Sequence, residues 1–262
     1  MKPITRAASA AFEKVTCVGK RKVMRNKLAR VLAALAALAA FALATQLAGC
    51  ANKPVPPEWQ ANAHGALKDF AAAYLTGNSR VAGLDFARAK SEIASTGRAD
   101  LIARAELVRC AVRVASLEFD SCAGLQGLGE DADSPERAYA AFLTGRWQGV
   151  QGMEGTLISL LPAHHRAVVS AKDEAGKNAA LAGIKDPLAQ LVAAGVLFQA
   201  GQLAPSSITA AVNTASAQGW RRPLLAWLGV QAQRAGAAGD MDAKARIQRR
   251  IDLVSSNPAG NP

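Results

Sequence analysis

Glycine and proline divide the chain beyond residue 57 into short segments in which apolar residues recur at helical spacing. The clearest segment is 98–117, where an apolar residue returns every three or four positions, at Leu101, Ala105, Val108, Val112 and Ala115. No segment alternates apolar and polar residues as a half-buried strand does, and runs of β-branched residues are scarce. The pattern predicts an all-α fold built from antiparallel helical hairpins.

Capping residues and helix breakers predict where these helices begin and end. Ser134-Pro135 and Asp186-Pro187 each place a capping side chain before a proline, which favours a helix start. We predict loops over 118–133 and 148–155, a break at Pro162 and a disordered tail over 256–262. Within the predicted all-α domain, 58–255, helices are expected over 58–76, 80–95, 98–117, 134–147, 156–171, 187–200, 205–217, 223–235 and 241–254.

One window resembles the second half of a tetratricopeptide repeat. Gly77-Asn78 ends a helix there, and Ala82, Phe86 and Ala89 follow at the offsets of that repeat's small, large and small packing residues. The resemblance covers one repeat and implies a tetratricopeptide-like solenoid. The alternative is an irregular helical bundle, in which the same residues make ordinary contacts within a hairpin.

The most apolar run of the chain lies near its N-terminus. Residues 31–44 read VLAALAALAAFALA, fourteen apolar residues, whereas a helix that spans a membrane needs about 20. Basic residues precede this run and small residues follow it, which is the organisation of a signal peptide. We therefore expect residues 1–49 to be a signal peptide, with translation beginning at Met24, directly ahead of the apolar run.

Leu47-Ala48-Gly49-Cys50, at the end of this leader, resembles the lipobox of bacterial lipoproteins. In that family the leader is cleaved before the cysteine, which becomes the lipid-modified N-terminus. The resemblance implies that Cys50 carries lipid, a membrane anchor, and that residues 50–57 form a Pro-rich tether. Because Ala51 and not aspartate follows the cysteine, the resemblance also implies the periplasmic face of the outer membrane.

The formal net charge of +11 belongs mainly to the leader. Residues 1–49 hold nine of the 31 Lys and Arg residues and one of the 20 Asp and Glu residues. That leaves 22 basic and 19 acidic side chains in residues 50–262, a net charge of +3. The predicted mature chain therefore offers little electrostatic support for binding nucleic acid, and we expect no nucleic-acid partner.

Four cysteines are present, and the expected processing leaves two of them free to pair. Cys17 lies in the expected leader and Cys50 is the expected lipid site, so Cys110 and Cys122 remain. In an oxidising periplasm a disulfide between them is the favoured interpretation. Two independent buried thiols are the alternative, because spacing alone does not show that the side chains meet.

The residues that most often carry chemistry form no recognisable catalytic or metal-binding motif. His164-His165 are adjacent on a predicted helix and point about 100° apart, so they cannot bind one metal ion together. An exposed pair at a turn is the expected arrangement. The acidic group Glu130, Asp131, Asp133 and Glu136 lacks the spacing of a calcium-binding loop, and we expect a solvated loop. We predict no catalytic residue, no metal site and no cofactor.

Two sets of residues are candidates for a partner surface. Trp220, Leu224 and Trp227 share one face of a predicted helix, where core packing is the alternative interpretation. A second set, Arg246, Arg249 and Arg250, lies on one side of the last predicted helix. There the alternatives are an ordinary solvated face and contact with anionic lipid head groups or an acidic partner.

These features predict a lipid-anchored interaction or scaffold module of the cell envelope, with an unidentified envelope protein as its partner and no catalysis of its own. The alternative is an envelope enzyme, such as a cell-wall hydrolase, that uses a carboxylate site without a sequence motif. A buried, cleft-lining carboxylate with a strongly perturbed pKa would favour the enzyme. A groove without such a group would favour the binding module.

Overall fold

The structure is a computed structural model that describes residues 55–146 and 154–256, together with the isolated positions 30, 33 and 35. The chain divides into two compact units, residues 1–55 and 56–262. In the described part of the second unit every regular element is helical, which confirms the predicted all-α fold. The predicted start at Met24, the lipobox Leu47–Cys50 and residues 257–262 of the predicted tail lie outside the described residues.

Eleven α-helices and one short 3-10 turn, Ala123–Leu125, make up the described part of the second unit. The helices are α1 (Glu58–Thr76), α2 (Ser79–Ala94), α3 (Ala99–Ala115), α4 (Ser134–Leu143), α5 (Glu154–Leu160), α6 (Ala163–Ser170), α7 (Glu174–Ala182), α8 (Pro187–Gln199), α9 (Pro205–Ala217), α10 (Arg221–Ala237) and α11 (Met241–Ser256).

Most helix boundaries agree with the sequence prediction to within two residues, and α7 is the main exception. This helix was not predicted; it has nine residues and buries only Leu181. Its start is determined locally: the Asp173 side chain accepts a hydrogen bond from the Gly176 backbone N–H at 2.6 Å. The other difference is α4, which ends at Leu143, four residues earlier than predicted.

The turn between α1 and α2 shows how two residues end one helix and begin the next. Gly77 has a φ of +96°, a left-handed conformation that glycine adopts without steric cost. Its N–H donates to the carbonyl of Tyr74. Asn78 then accepts a hydrogen bond from the Val81 N–H through its side chain, at 3.1 Å, and caps α2. The result is a tight antiparallel hairpin, within which the rings of Phe70 and Phe86 are 4.9 Å apart.

Helices α3 and α8 form the centre of the core. Each buries a long series of residues, and the two helices pack against each other. Gly195 of α8 lies against the carbonyl oxygen of Val114 near the end of α3, where an added Cβ would overlap that oxygen. A glycine at this position therefore permits the close approach of the two central helices.

Contacts between distant helices distinguish a closed bundle from an open solenoid. Helix α10 packs on α1, and Arg222 of α10 donates to the Tyr74 carbonyl at 2.8 Å, to Ser79 Oγ at 2.6 Å and to Glu118 Oε1 at 3.2 Å. In a solenoid each repeat contacts only its neighbours. The α1–α10 and α3–α8 contacts do not follow that rule, so the packing is that of an irregular bundle.

Candidate functional site

A cleft of about 410 Å³ opens between α3, α4 and the α5–α6 turn. Its volume lies within the range of about 300–1,000 Å³ typical of small-molecule sites. Aliphatic side chains and prolines make up most of its lining, and two arginines, one glutamate and one tyrosine complete it: Arg104, Leu107, Val108, Pro135, Glu136, Tyr139, Leu160, Leu161, Pro162 and Arg166. We call this the α3–α4 cleft.

Glu136 is the acidic residue of the α3–α4 cleft. It lies in the first turn of α4, where the helix dipole favours a negative charge, and it is 6% exposed. Arg104 Nε of α3 donates to its Oε1 at 2.5 Å, and Oε2 is buried with no hydrogen-bond partner among the described residues. One carboxylate oxygen therefore pairs with a cation, and the other has no hydrogen-bond partner among the described residues.

Tyr139 lies one turn further along α4 and presents a protonated hydroxyl. Burial raises the pKa of this hydroxyl above its ordinary value, and the charge of Asp186 raises it further. The ring stacks on Phe142 at 5.9 Å and on His165 at 5.8 Å between centroids. These ring contacts hold the α4 side of the cleft against α6.

His165 is fully buried, so the predicted exposed histidine pair is wrong for this residue, whereas His164 is exposed. Helix α6 turns its inner face toward α4 and α8, and the imidazole packs against Phe142 at 4.6 Å and lies 3.0 Å from the Ala189 carbonyl oxygen through Nε2. Burial lowers the pKa of His165 to about 4, so the ring is neutral at pH 7. Because a carbonyl only accepts, Nε2 carries the proton.

Arg166, the next residue of α6, is the second cation of the α3–α4 cleft. Its Nε donates to the backbone carbonyl of Leu161 at 2.8 Å, which anchors the side chain across the α5–α6 turn. The side chain is exposed, and within the described ranges no carboxylate pairs with it. Two arginines and one glutamate therefore give the cleft a net charge of +1, carried by the unpaired guanidinium of Arg166.

A second buried carboxylate, Glu106, lies on α3 away from this cleft. Lys90 Nζ is 2.9 Å from its Oε1 and Arg109 Nη2 is 2.6 Å from its Oε2. Gly124 covers the pair so closely that an added Cβ would overlap the Glu106 carboxylate. The Glu106 carboxylate is enclosed, Lys90 and Arg109 are partly exposed, and the network belongs to the scaffold.

Cys110 and Cys122 are joined by a disulfide in the structure, with Cα atoms 5.1 Å apart. Both residues are buried, and the bridge attaches the loop after α3 to that helix. Because Gly124 follows two residues after Cys122, the disulfide also holds the turn that covers Glu106.

The tryptophan face of α10 is part of the core, so the predicted partner surface at Trp220, Leu224 and Trp227 is wrong. Trp227 has no exposed surface, and its indole N–H donates to the Ala115 carbonyl at 3.1 Å. Leu224 is buried beside it, and Trp220, which precedes the helix, is half-buried. The alternative interpretation, core packing, accounts for all three, because the closed bundle places α10 against α3.

The arginines of the last helix have the opposite placement. Arg246, Arg249 and Arg250 are all exposed on α11, and in the part of the chain that the structure describes none of them has an ion-pair or hydrogen-bond partner. They remain a predicted partner surface. The other predicted site residues, Leu47, Ala48, Gly49 and Cys50, lie outside the described residues.

Across 55–146 and 154–256 no three His, Cys, Asp or Glu side chains lie together in a way that could hold a metal ion. Over the same residues no helix combines the length and apolarity needed to cross a bilayer. Glu130, Asp131 and Asp133 are exposed as expected, but Glu136 is not part of a solvated acidic loop.

No family model matches the chain, and neither a curated protein nor a solved structure shows significant similarity to it.

The sequence pattern did not identify the four polar residues of the α3–α4 cleft. Ser134-Pro135 marked the helix start that places Glu136 in a first turn, and this was the only available signal. Arg104 and Glu136 are 32 positions apart, and Arg166 lies further still along the chain. Their convergence depends on how α3, α4 and α6 pack, which no local pattern encodes.

Proposed function

We propose that this chain is a lipid-anchored protein of the bacterial cell envelope whose helical body is an interaction module without catalysis of its own. Cys50 would carry the lipid, and the outer membrane, facing the periplasm, would be its location. The Leu47–Cys50 motif, which follows a fourteen-residue apolar run, supports this location. The α3–α4 cleft supports the binding role.

The composition of the cleft is the observation that favours binding over catalysis. Most of its lining is aliphatic, as in ligand sites that hold a few orienting polar groups. Glu136 is the one carboxylate in this lining, and it is engaged by Arg104, while Tyr139 keeps its proton. A glycosidase-type mechanism needs two carboxylates at a set distance. The cleft lining contains only one.

The alternative function is an envelope enzyme, and Glu136 is the observation that favours it. A buried carboxylate beside a cleft is the usual starting point for an acid–base site. If Glu136 were catalytic, Glu136→Gln would abolish turnover of cell-wall material while leaving ligand binding in place. Assay of purified protein on isolated cell wall therefore separates the two functions.

Lipid attachment is tested by metabolic labelling with a radioactive or clickable palmitate analogue. We expect label on the wild-type chain in the membrane fraction and none on a Cys50→Ser variant. The double variant Cys110→Ala and Cys122→Ala, which keeps Cys50, is the control and should label as the wild type does. Label that survives Cys50→Ser would contradict the proposed anchor.

The interaction role is tested by site-specific photo-cross-linking in cells. A photoreactive residue at Val108, in the cleft, should trap a defined partner or ligand. The same residue at Leu84, which is 64% exposed on α2, is the control for random encounter. Equal products at both positions, or none at Val108, would count against the cleft as the interaction surface.

A further inference from the structure

We propose that the α3–α4 cleft binds an aliphatic chain that ends in a single carboxylate, with Arg166 receiving the carboxylate and the leucine-lined wall receiving the chain. The proposal rests on the proposed function in one respect, namely that the cleft is the binding surface of the module.

Of the two arginines of the cleft, Arg104 is paired with a carboxylate and Arg166 is not, among the described residues. Arg104 is neutralised by Glu136 through the 2.5 Å contact. Among the described residues Arg166 uses only Nε, in its 2.8 Å hydrogen bond to Leu161, so both terminal nitrogens are available. A carboxylate accepts two parallel N–H bonds from a guanidinium, an arrangement stronger than a single neutral hydrogen bond. The cleft is therefore complementary to one negative charge.

Glu136 limits the ligand to a monoanion. Glu136 pairs with Arg104, so among the described residues of the cleft Arg166 is the one cation left for a ligand. A second negative group on the ligand, such as the second charge of a phosphate monoester, would have no free cation to pair with. A single carboxylate placed on Arg166 needs no second cation.

The lining also indicates what is attached to the carboxylate. Leu107, Val108, Leu160 and Leu161 present aliphatic surface, and Pro135 and Pro162 have no N–H to offer. A peptide would bury backbone N–H and C=O groups against these side chains without partners, at a cost in binding free energy. An aliphatic chain has no such groups, so the wall of the cleft favours it over a peptide.

Isothermal titration calorimetry with sodium decanoate below its micelle concentration tests the assignment. The protein is the full chain with Cys50→Ser, which removes the proposed acyl group as an internal competitor. We expect saturable binding of one decanoate per chain. Decanol and decyltrimethylammonium should bind at least about tenfold more weakly, because both lack the charged acceptors that Arg166 needs.

Variants of Arg166 locate the site. Arg166→Gln should weaken decanoate binding by at least about tenfold, and Arg166→Lys should be intermediate, because lysine keeps the charge but loses the two-pronged geometry. Arg80→Gln removes an exposed arginine on α2 that has no hydrogen-bond or ion-pair partner among the described residues, and it should bind as the parent does. Circular dichroism melts of each variant check that the fold is retained.

Three outcomes would overturn the proposal: no saturable decanoate binding, equal effects of Arg166→Gln and Arg80→Gln, or equally tight binding of the decyl cation. An apolar peptide that binds through its free C-terminus while decanoate does not would also overturn it. The photo-cross-linking at Val108 keeps the two claims distinguishable. A trapped partner at Val108 without decanoate binding would leave the interaction role intact and remove only the assigned ligand.

Discussion

Glu106 and Glu136 are both buried carboxylates paired with arginine, yet their surroundings differ. Glu106 has a cation at each oxygen, Lys90 on one and Arg109 on the other, and Gly124 closes over it. In the described part of the chain Glu136 has one cation, Arg104, and its second oxygen, beside a cleft, has no hydrogen-bond partner. Burial of a charged side chain therefore does not by itself identify a ligand-binding site. The number of neighbouring cations and the adjoining space separate a scaffold residue from one that influences a ligand.

Loss of the disulfide should have the largest effect on the Glu106 region. A double Cys110→Ala and Cys122→Ala variant frees a loop with a sequence separation of 12, and we expect a loss of about 3 kcal/mol in the free energy of unfolding. Urea unfolding measures it, and wild type in reductant should show the same loss. Decanoate affinity should stay unchanged, because the bridge is outside the cleft. A parallel loss of affinity would show that the two regions are not independent.

Glu106→Gln should be the next most destabilising change. It leaves Lys90 and Arg109 without a counter-charge, and because both are partly exposed and can turn to water, the expected cost is about 2 kcal/mol, below the usual range for a fully buried pair. The measurement is again urea unfolding. Glu130→Gln, in the exposed loop, is the control and should change stability by less than about 0.5 kcal/mol.

His165 makes the cleft side of the molecule sensitive to acid. Its pKa of about 4 is below the ordinary value of 6.5, so as the pH falls the unfolded chain binds a proton before the folded chain does. Stability from this group is thus present above pH 6.5 and is lost between 6.5 and 4. From pH 7.5 to 5 the expected loss is about 2 kcal/mol.

Comparison of variants isolates this loss from the other titrating groups. His165→Asn should remove it from the pH dependence of unfolding, and His164→Gln, at the exposed neighbour, should leave it in place. Asp186, whose charge raises the His165 pKa, and His164, which lowers it, are unchanged in the first variant. Identical pH profiles for wild type and His165→Asn would refute the assignment.

Glu136→Gln should have the smallest effect on stability, and it should strengthen decanoate binding. Because Arg104 is half-exposed and can turn to solvent, we expect a loss of no more than about 1 kcal/mol. At the same time the net charge of the cleft rises to +2, so decanoate should bind more tightly. A stability loss as large as that of Glu106→Gln, or weaker decanoate binding, would remove the distinction between the two carboxylates.

Much of the fold was predictable because its determinants are local. Asp186 caps α8 through its own side chain, and Gly77 ends α1, as the sequence indicated. Asp240 caps α11 in the same way. Helix α7 was missed because it contributes one buried residue, and the role of the α10 tryptophans became clear only from their contacts. His165 was misassigned because a polar side chain near a helix start is usually solvated, whereas α6 buries His165 and Val168 on one face.

The sequence by itself determined that the described chain would be helical and where most helices begin and end, because caps, glycines, prolines and apolar spacing act over a few residues. Only the tertiary structure decided that α10 returns to α1, that Trp227 belongs to the core and that Arg104 meets Glu136 across 32 positions. These pairings depend on which helix faces meet. The charge left on Arg166 beside an apolar cleft is a consequence of that packing.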